Sequence, residues 1–346
     1  MFSSLEILTQ AAMARTTEIR VNDPDYGWRS AQTRTRRERL TPTGTLNILA
    51  ADHPARRVTK VGDNRIGMAD RRDYLARVVR VLSAEGTDGV MATMDLLEDL
   101  FILDGCAREE GRASLLDHKL LIGSLNRGGL AGTAWELDDA ITGPTPATCA
   151  VWRLDGAKML LRIADDEPGS LKTTLASAKA ITECNALGLP MFLEPLPVAK
   201  TNTGWAVQKN AEALARIAGV ASALGDSSRY LWLKLPYCAG FETVARSTSL
   251  PILLLGGESA GNPAPFLNEL AFALQAGPNV RGALVGRNVL YPGGDDPLGM
   301  ARAVGGIVHQ GWSVEQALER CANGDIGGDA PAEHPKIERQ APVRTI

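Results

Sequence analysis

Histidine and cysteine are scarce in this chain, with four and five among 346 residues. The cysteines, Cys106, Cys149, Cys184, Cys238 and Cys321, are odd in number, scattered, and never spaced as CxxC. That excludes a zinc knuckle, argues against a disulfide framework and fits a reducing cytoplasm. His53, His118, His309 and His334 form no HxH or HxxxH pair, so neither a metal nor another cofactor is expected. No apolar run approaches the ~20 residues of a spanning helix, and the start lacks the basic and apolar regions of a signal peptide. The net charge is only −3, which gives no global case for nucleic-acid or membrane binding. A GxGxxG after the first apolar run is also absent, which weakens an open dinucleotide-binding sheet.

What is present is a rhythm. From Leu46 onward, short apolar runs alternate with amphipathic stretches of helical length, spaced like βα units. Strands are predicted at 46–51, 89–93, 119–124, 157–163, 191–193, 230–235, 252–255 and 282–285. Helices are predicted at 72–85, from about 96, and at 171–186, 210–223 and 260–276. Eight such units close into a (β/α)8 barrel. The expected organisation is an N-terminal helical extension over 1–45, a barrel over 46–323 and a polar C-terminal tail over 324–346. In the extension, Leu5, Ile7, Leu8, Ala11 and Ala12 can share one helical face. Arg34, Arg36, Arg37 and Arg39 follow as a basic run, expected on a solvated helix face or as an arm on a partner subunit, and a homo-oligomer is expected.

The most informative strand is Tyr230 to Leu235. It is apolar or aromatic except for Lys234, and a lysine is almost never fully buried unless paired or used. Burial lowers an amine's pKa, and a neutral amine is a nucleophile. The bland alternative is a lysine that snorkels out at the strand end. In a barrel the site lies at the C-terminal strand ends. Those ends also carry Asp52, Lys158, Glu194 and Arg287, which could converge in one bowl. A second cation, Lys158, would push the pKa of Lys234 down from ~10.4 toward ~7–8. Glu194 could shuttle protons and Asp52 could bind or deprotonate a substrate hydroxyl; a simple Lys158–Glu194 ion pair is the alternative. Gly256, Gly257 and Gly286, with Arg287, suggest an anion site, because the last two loops of barrel enzymes recurrently hold phosphate. A competing motif, Gly257-Glu258-Ser259-Ala260-Gly261, matches a nucleophile elbow, with Asp296 and His309 downstream.

Several of these segments resemble class I, Schiff-base aldolases of the fructose-bisphosphate and tagatose-bisphosphate type. The likeness lies in Leu233-Lys234-Leu235-Pro236-Tyr237, Pro251 to Gly257 and Ala283 to Val289. Phe192 to Leu196 and Gly156 to Leu161 are similar to the tagatose-bisphosphate branch in particular. The resemblance covers about residues 45 to 310. It implies a cytoplasmic lyase with Lys234 as Schiff-base former, accompanied by Glu194, Lys158 and Asp52, acting on a phosphorylated sugar without metal. Departures are Leu196-Pro197, where one branch has tyrosine, and Asp52-His53-Pro54, where glycine is usual in the third place. The chain also resembles bacterial homologues encoded with inositol-catabolism genes. They suggest 2-deoxy-5-keto-gluconate 6-phosphate as substrate, cleaved to dihydroxyacetone phosphate and malonic semialdehyde. A barrel isomerase or synthase using acid–base chemistry only, and a non-catalytic sugar-phosphate-binding barrel, remain open.

Overall fold

The apolar runs become strands buried along nearly their whole length, as parallel sheets covered on both faces require. The computed structural model describes residues 2–323 apart from Thr203, Ala260 and Asp295. The predicted tail over 324–346 and the first residue of the predicted helix at 260 lie outside the described residues. The strands are β1 (Leu46–Ala51), β2 (Gly89–Ala92), β3 (Leu120–Ser124), β4 (Gly156–Ile163), β5 (Met191–Thr201), β6 (Gly204–Val207), β7 (Leu231–Pro236), β8 (Ile252–Leu255) and β9 (Val280–Val285). Eight of them pair in parallel in the order β4-β3-β2-β1-β9-β8-β7-β5, and a β4–β5 pairing closes the ring. The fold is therefore a (β/α)8 barrel. The ninth strand, β6, pairs antiparallel with the far end of β5, so that β5 runs well past the predicted 191–193 into a hairpin at the mouth. No helix among the described residues is long and apolar enough to cross a membrane.

The helices before the barrel are α1 (Ser4–Ile7), α2 (Gln10–Asn22) and α3 (Tyr26–Thr33). Around it run α4 (Arg71–Leu82), α5 (Met94–Glu109), α6 (Pro146–Val151), α7 (Gly169–Leu187), α8 (Ala211–Ser222), α9 (Phe241–Arg246) and α10 (Pro263–Gln275). Three more, α11 (Arg287–Leu290), α12 (Pro297–Gly305) and α13 (Val314–Asn323), follow β9, with a π-helical turn at Gly306–Gln310 between the last two. The start and stop signals are local. Asn210 caps α8 by accepting from the Ala213 amide, and Gly188 ends α7 in the left-handed conformation that glycine adopts without strain.

The arginine run is not helical and is only partly solvated: Arg34 is buried and Arg37 half-buried, while Arg36 and Arg39 are exposed. It crosses the N-terminal end of the barrel in extended form. Buried Arg34 donates to the carboxylate of Asp155 at 2.9 Å and to the carbonyl of Lys119 at 2.8 Å. Arg36 takes the other oxygen of Asp155, and Arg37 takes Asp88 at 2.8 Å. These carboxylates stand just before β4 and β2, so the run staples the extension to the strand starts.

Inside the barrel, Ile48, Ala50, Met91, Ile122, Phe192 and Leu253 belong to one apolar cluster. Strand side chains alternate in direction, so the residue two places on faces inward again, nearer the mouth. Two residues past Ala50, Ile122 and Phe192 stand Asp52, Ser124 and Glu194. Two past Trp232 stands Lys234, and two past Leu284 stands Gly286. Along these strands the inward-facing positions thus switch from apolar to polar on approaching the mouth.

Candidate active site

Four charged side chains predicted from the strand ends do converge, and they do so in a chain of contacts. The Oδ2 of Asp52 accepts from Ser124 Oγ at 2.8 Å and lies 3.3 Å from Lys158 Nζ. Lys158 Nζ also lies 2.7 Å from Glu194 Oε2, and the same oxygen takes Lys234 Nζ at 3.0 Å. Lys158 and Asp52 are sealed, with 0 and 1% of their surface exposed. Lys234 and Glu194, by contrast, line a cavity of about 310 Å³ together with Arg127, Arg287, His53 and the three glycines. A larger hollow of about 600 Å³ beside Arg246 and Arg281 opens at the opposite end of the barrel, away from this cluster.

The electrostatics favour one neutral amine. Lys158, Lys234 and Arg127 offer three positive charges to the two carboxylates of Asp52 and Glu194, in surroundings where an unbalanced charge is costly. Burial lowers the pKa of Lys234; Arg127 and Arg287 add to the effect and Glu194 opposes it. Burial and Arg127 likewise hold Lys158 well below an ordinary lysine. Burial by itself would raise the carboxyl of Glu194, but Lys158, Lys234 and Arg127 outweigh it and hold the group ionised. Burial, Arg287 and Lys234 keep the His53 imidazole neutral, and its Nδ1 is buried without a hydrogen-bond partner.

Two expected roles gain detail from the geometry. Lys158 was expected to be the cation that depresses Lys234. The Glu194 oxygen touches both amines, Lys234 helps to lower Lys158, and Arg127 is the cation that lowers Lys234 most. Asp52 was expected at a substrate hydroxyl, but it lies beneath the floor, where it ion-pairs with Lys158 and Arg127. Sequence reasoning missed Arg127 altogether. It stands three residues past β3 and beside the noted Gly128-Gly129 pair, so the signal was a charge at a strand-end loop like those already counted.

The glycine set is at the mouth as expected. Gly256 and Gly257 follow β8, and Gly286 follows β9. Gly257 has φ of +68°, a conformation that favours glycine. A Cβ on Gly286 would overlap the carbonyl oxygen of Ala50, so β9 approaches β1 closely only with glycine there. Arg287 begins the turn after β9, and burial lowers its pKa against the pull of Glu258 and Glu194. The nucleophile-elbow motif forms no triad. Ser259 Oγ donates to the Tyr291 carbonyl at 2.7 Å, Asp296 caps α12 and pairs with Arg80, and His309 pairs with Asp88 near the starts of β1 and β2. Among the described residues no group of three or more His, Cys, Asp or Glu could hold a metal ion.

A family model described as Cgl0159-like matches residues 44–305, nearly the span of the barrel and the loops that build this cavity. The chain belongs to the Cgl0159-like family. The crystal structure of Cgl0159 from Corynebacterium glutamicum matches with a TM-score of 0.82 and 36% identity, covering 88% of this chain and 99% of that one. An uncharacterized aldolase of Saccharolobus solfataricus is 30% identical over 140 residues, 40% of this chain. The match spans about half, 48%, of that curated relative's length. An archaeal fructose-1,6-bisphosphate aldolase, solved with its catalytic lysine covalently bound to the carbinolamine intermediate, shares the fold at a TM-score of 0.54 and 20% identity. It covers 82% of this chain and 99% of its own.

Proposed function

We propose that the chain is a lyase, a class I aldolase that cleaves a phosphorylated keto-sugar through an imine on Lys234 without help from a metal. The observation that carries this reading is the position of Lys234. It touches Glu194 at 3.0 Å and, of the two buried lysines, it is the one that reaches the cavity. Its depressed pKa leaves more of the neutral form that attack on a ketone needs. The aldolase name of the Saccharolobus relative and the lysine-bound carbinolamine of the archaeal fold neighbour agree with it.

In the proposed reaction the lone pair of Lys234 Nζ adds to the ketone carbon, and the carbonyl oxygen takes up a proton from solvent to give the carbinolamine. Glu194, held ionised, accepts the proton shed by the amine and returns it to the departing hydroxyl, which leaves as water. The protonated imine then accepts the electron pair of the breaking carbon–carbon bond and becomes an enamine. The hydroxyl proton of the departing fragment goes to a base, for which Glu194 is the nearest carboxylate, and an aldehyde leaves. Reprotonation of the enamine carbon and hydrolysis release the ketone and restore Lys234. Lys158 and Asp52 fix Glu194 from below, and Gly256, Gly257, Gly286 and Arg287 hold the phosphate. For the substrate itself, 2-deoxy-5-keto-gluconate 6-phosphate is the proposal, and sequence likeness is its support.

An isomerase, a synthase using acid–base chemistry only, or a binding protein would leave Lys234 unmodified. The protein is therefore incubated with dihydroxyacetone phosphate and borohydride, digested and weighed as peptides. The expected result is the reduced adduct mass on the Lys234 peptide. No adduct, or an adduct on a different lysine, would show the reading to be wrong.

A further inference from the structure

One titratable group at the mouth is left idle by the chemistry of Lys234 and Glu194. His53 follows β1 and opens the 3-10 turn Pro54–Arg56. Its main chain is pinned, for the His53 carbonyl accepts from the Arg56 amide at 3.1 Å and from the Val58 amide at 3.3 Å. Its ring is not. The imidazole does not cap the turn, and Nδ1 is buried with no partner. Nε2 makes no hydrogen bond among the described residues either. Buried polar groups are normally paired, because a bare one loses its hydration without return. A histidine kept for structure would use its ring nitrogens; this one holds them open.

The ring also stands where a donor is wanted. It lines the same cavity as Lys234 and Glu194. A Cβ on Gly286 would overlap its Cε1, so the glycine after β9 lets the imidazole lie against that strand end. Around the barrel β9 and β8 separate β1 from β7, so His53 and Lys234 enter the cavity from different sides of the mouth. As an amine adds to a ketone, negative charge gathers on the oxygen and calls for a donor. Glu194 does not supply one, because it is held ionised and its Oε2 already accepts from both lysines. A neutral imidazole donates through one N–H and keeps its proton. Burial, Arg287 and Lys234 hold His53 in that neutral form against the pull of Glu194. Nδ1 is the sealed nitrogen, so the ring meets the cavity through Nε2.

We propose that His53 is a further catalytic residue, whose Nε2–H binds the ketone oxygen and steadies the charge that forms there while Lys234 adds. The proposal rests on the imine reading. The new bond runs from Lys234 Nζ to the ketone carbon, and the π pair of the carbonyl moves onto the oxygen. The oxygen then takes its proton from solvent, Glu194 takes the one that the amine sheds, and His53 ends the step unchanged. When the imine is hydrolysed, the same N–H holds the oxygen of the incoming water.

The test uses the whole chain with dihydroxyacetone phosphate, quenched with borohydride at successive times. His53→Phe keeps a flat ring and removes the donor; it should slow adduct formation on Lys234 about 100-fold, the loss typical of one oxyanion donor. His53→Gln restores an N–H at similar reach and should recover most of that loss. In both variants the affinity for inorganic phosphate, measured by calorimetry, and the melting curve should match the wild type. NMR of the histidine ring nitrogens in the free protein at neutral pH should show the ring that His53→Gln removes as neutral, with its proton on Nε2. A trapping rate that His53→Phe leaves unchanged would overturn the proposal. So would a loss that His53→Gln does not recover, or a ring that is charged or protonated on Nδ1 alone. If phosphate affinity or the melting curve falls along with the rate, the role is structural and the proposal fails. Absence of any adduct in the wild type is a separate result: it removes the imine reading, and this step with it.

Discussion

The two ends of the barrel both bury carboxylates against cations, yet they are built differently. At the N-terminal end, Asp155 meets Arg34, Arg36 and the Leu121 amide, and Asp88 meets Arg37, His309 and the Asn47 amide. Each oxygen there has a fixed donor, and the cations are arginines, which do not give up a proton at ordinary pH. Three cations meet two carboxylates at either end, but at the C-terminal end the cations closest to Glu194 are lysines, which can give up a proton, and buried atoms go unpartnered beside a cavity. Those atoms include Asp52 Oδ1, His53 Nδ1, Arg127 Nε and Arg287 Nε; at the other end Arg34 Nε and Thr87 Oγ1 are exceptions. The lesson is that buried charge with saturated partners fastens a fold, whereas buried charge with a titratable surplus facing a cavity is ready to react.

The sharpest way to break this comparison is to exchange the effects of mutations at the two ends. Lys234→Ala should abolish borohydride trapping and lower kcat/KM by a factor on the order of 10⁴ or more, with little change in the melting curve. Residual trapping would move the nucleophile elsewhere. Next in size, Arg34→Ala should destabilise the protein by up to about 3–5 kcal/mol in denaturant titrations, because Asp155 would lose its buried cation and keep only the exposed Arg36 and the Leu121 amide. The folded fraction should still trap substrate at the normal rate. A slowed trapping rate in correctly folded Arg34→Ala protein would contradict the division between the two ends.

The pH dependence has the same sign at the two ends but falls in different windows. The pKa of Lys234 is lowered in the folded state, so between that lowered value and 10.5 the unfolded chain binds a proton that the native chain does not. Stability should therefore rise with pH across that window, and Lys234→Met should flatten the rise. For Asp88 burial pulls upward, but His309, the Asn47 amide and Arg37 hold its pKa below the usual 3.8. Its contribution is present above that value and is lost as pH falls through the lowered one. Trapping should show a midpoint below 10.5, and Lys158→Met should move it upward, because Glu194 would then have one amine to stabilise instead of two. A midpoint unmoved by Lys158→Met would show that the shared oxygen does not couple the lysines. Smaller still, Arg287→Ala should raise KM for a phosphorylated substrate about 10-fold, and an unchanged KM would put the anion site elsewhere. The least effect is expected from EDTA, which should leave activity intact; a loss restored by zinc would replace the imine with a metal.

How much was legible follows from the kind of signal each feature has. The run from Ile252 to Leu255 reads as a strand because four apolar residues bounded by proline and glycine have few other uses. Lys234 was legible because one charge in an apolar strand is conspicuous. Arg127 was not, since it sits in a loop where charge is ordinary and its burial comes from elements around it. The β5–β6 hairpin was not predicted; Pro195 and Pro197 are unusual strand residues, tolerated where the missing N–H falls outside the ladder. The arginine run was placed on a solvated face because sequence shows the charges and hides the carboxylates they meet more than fifty positions away.

The sequence by itself determined the barrel, since hydrophobic periodicity and strand spacing are local properties that the backbone converts directly into strands and helices. It also determined which strand ends would carry charge, through the alternation that follows Phe192 with Glu194 and Trp232 with Lys234. Only the tertiary structure decided which lysine reaches the cavity. Closing the ring sets Lys158 beneath the floor and Lys234 at its surface, and that difference in height comes from the stagger of β4 and β7 around the barrel rather than from either residue's neighbours in the chain.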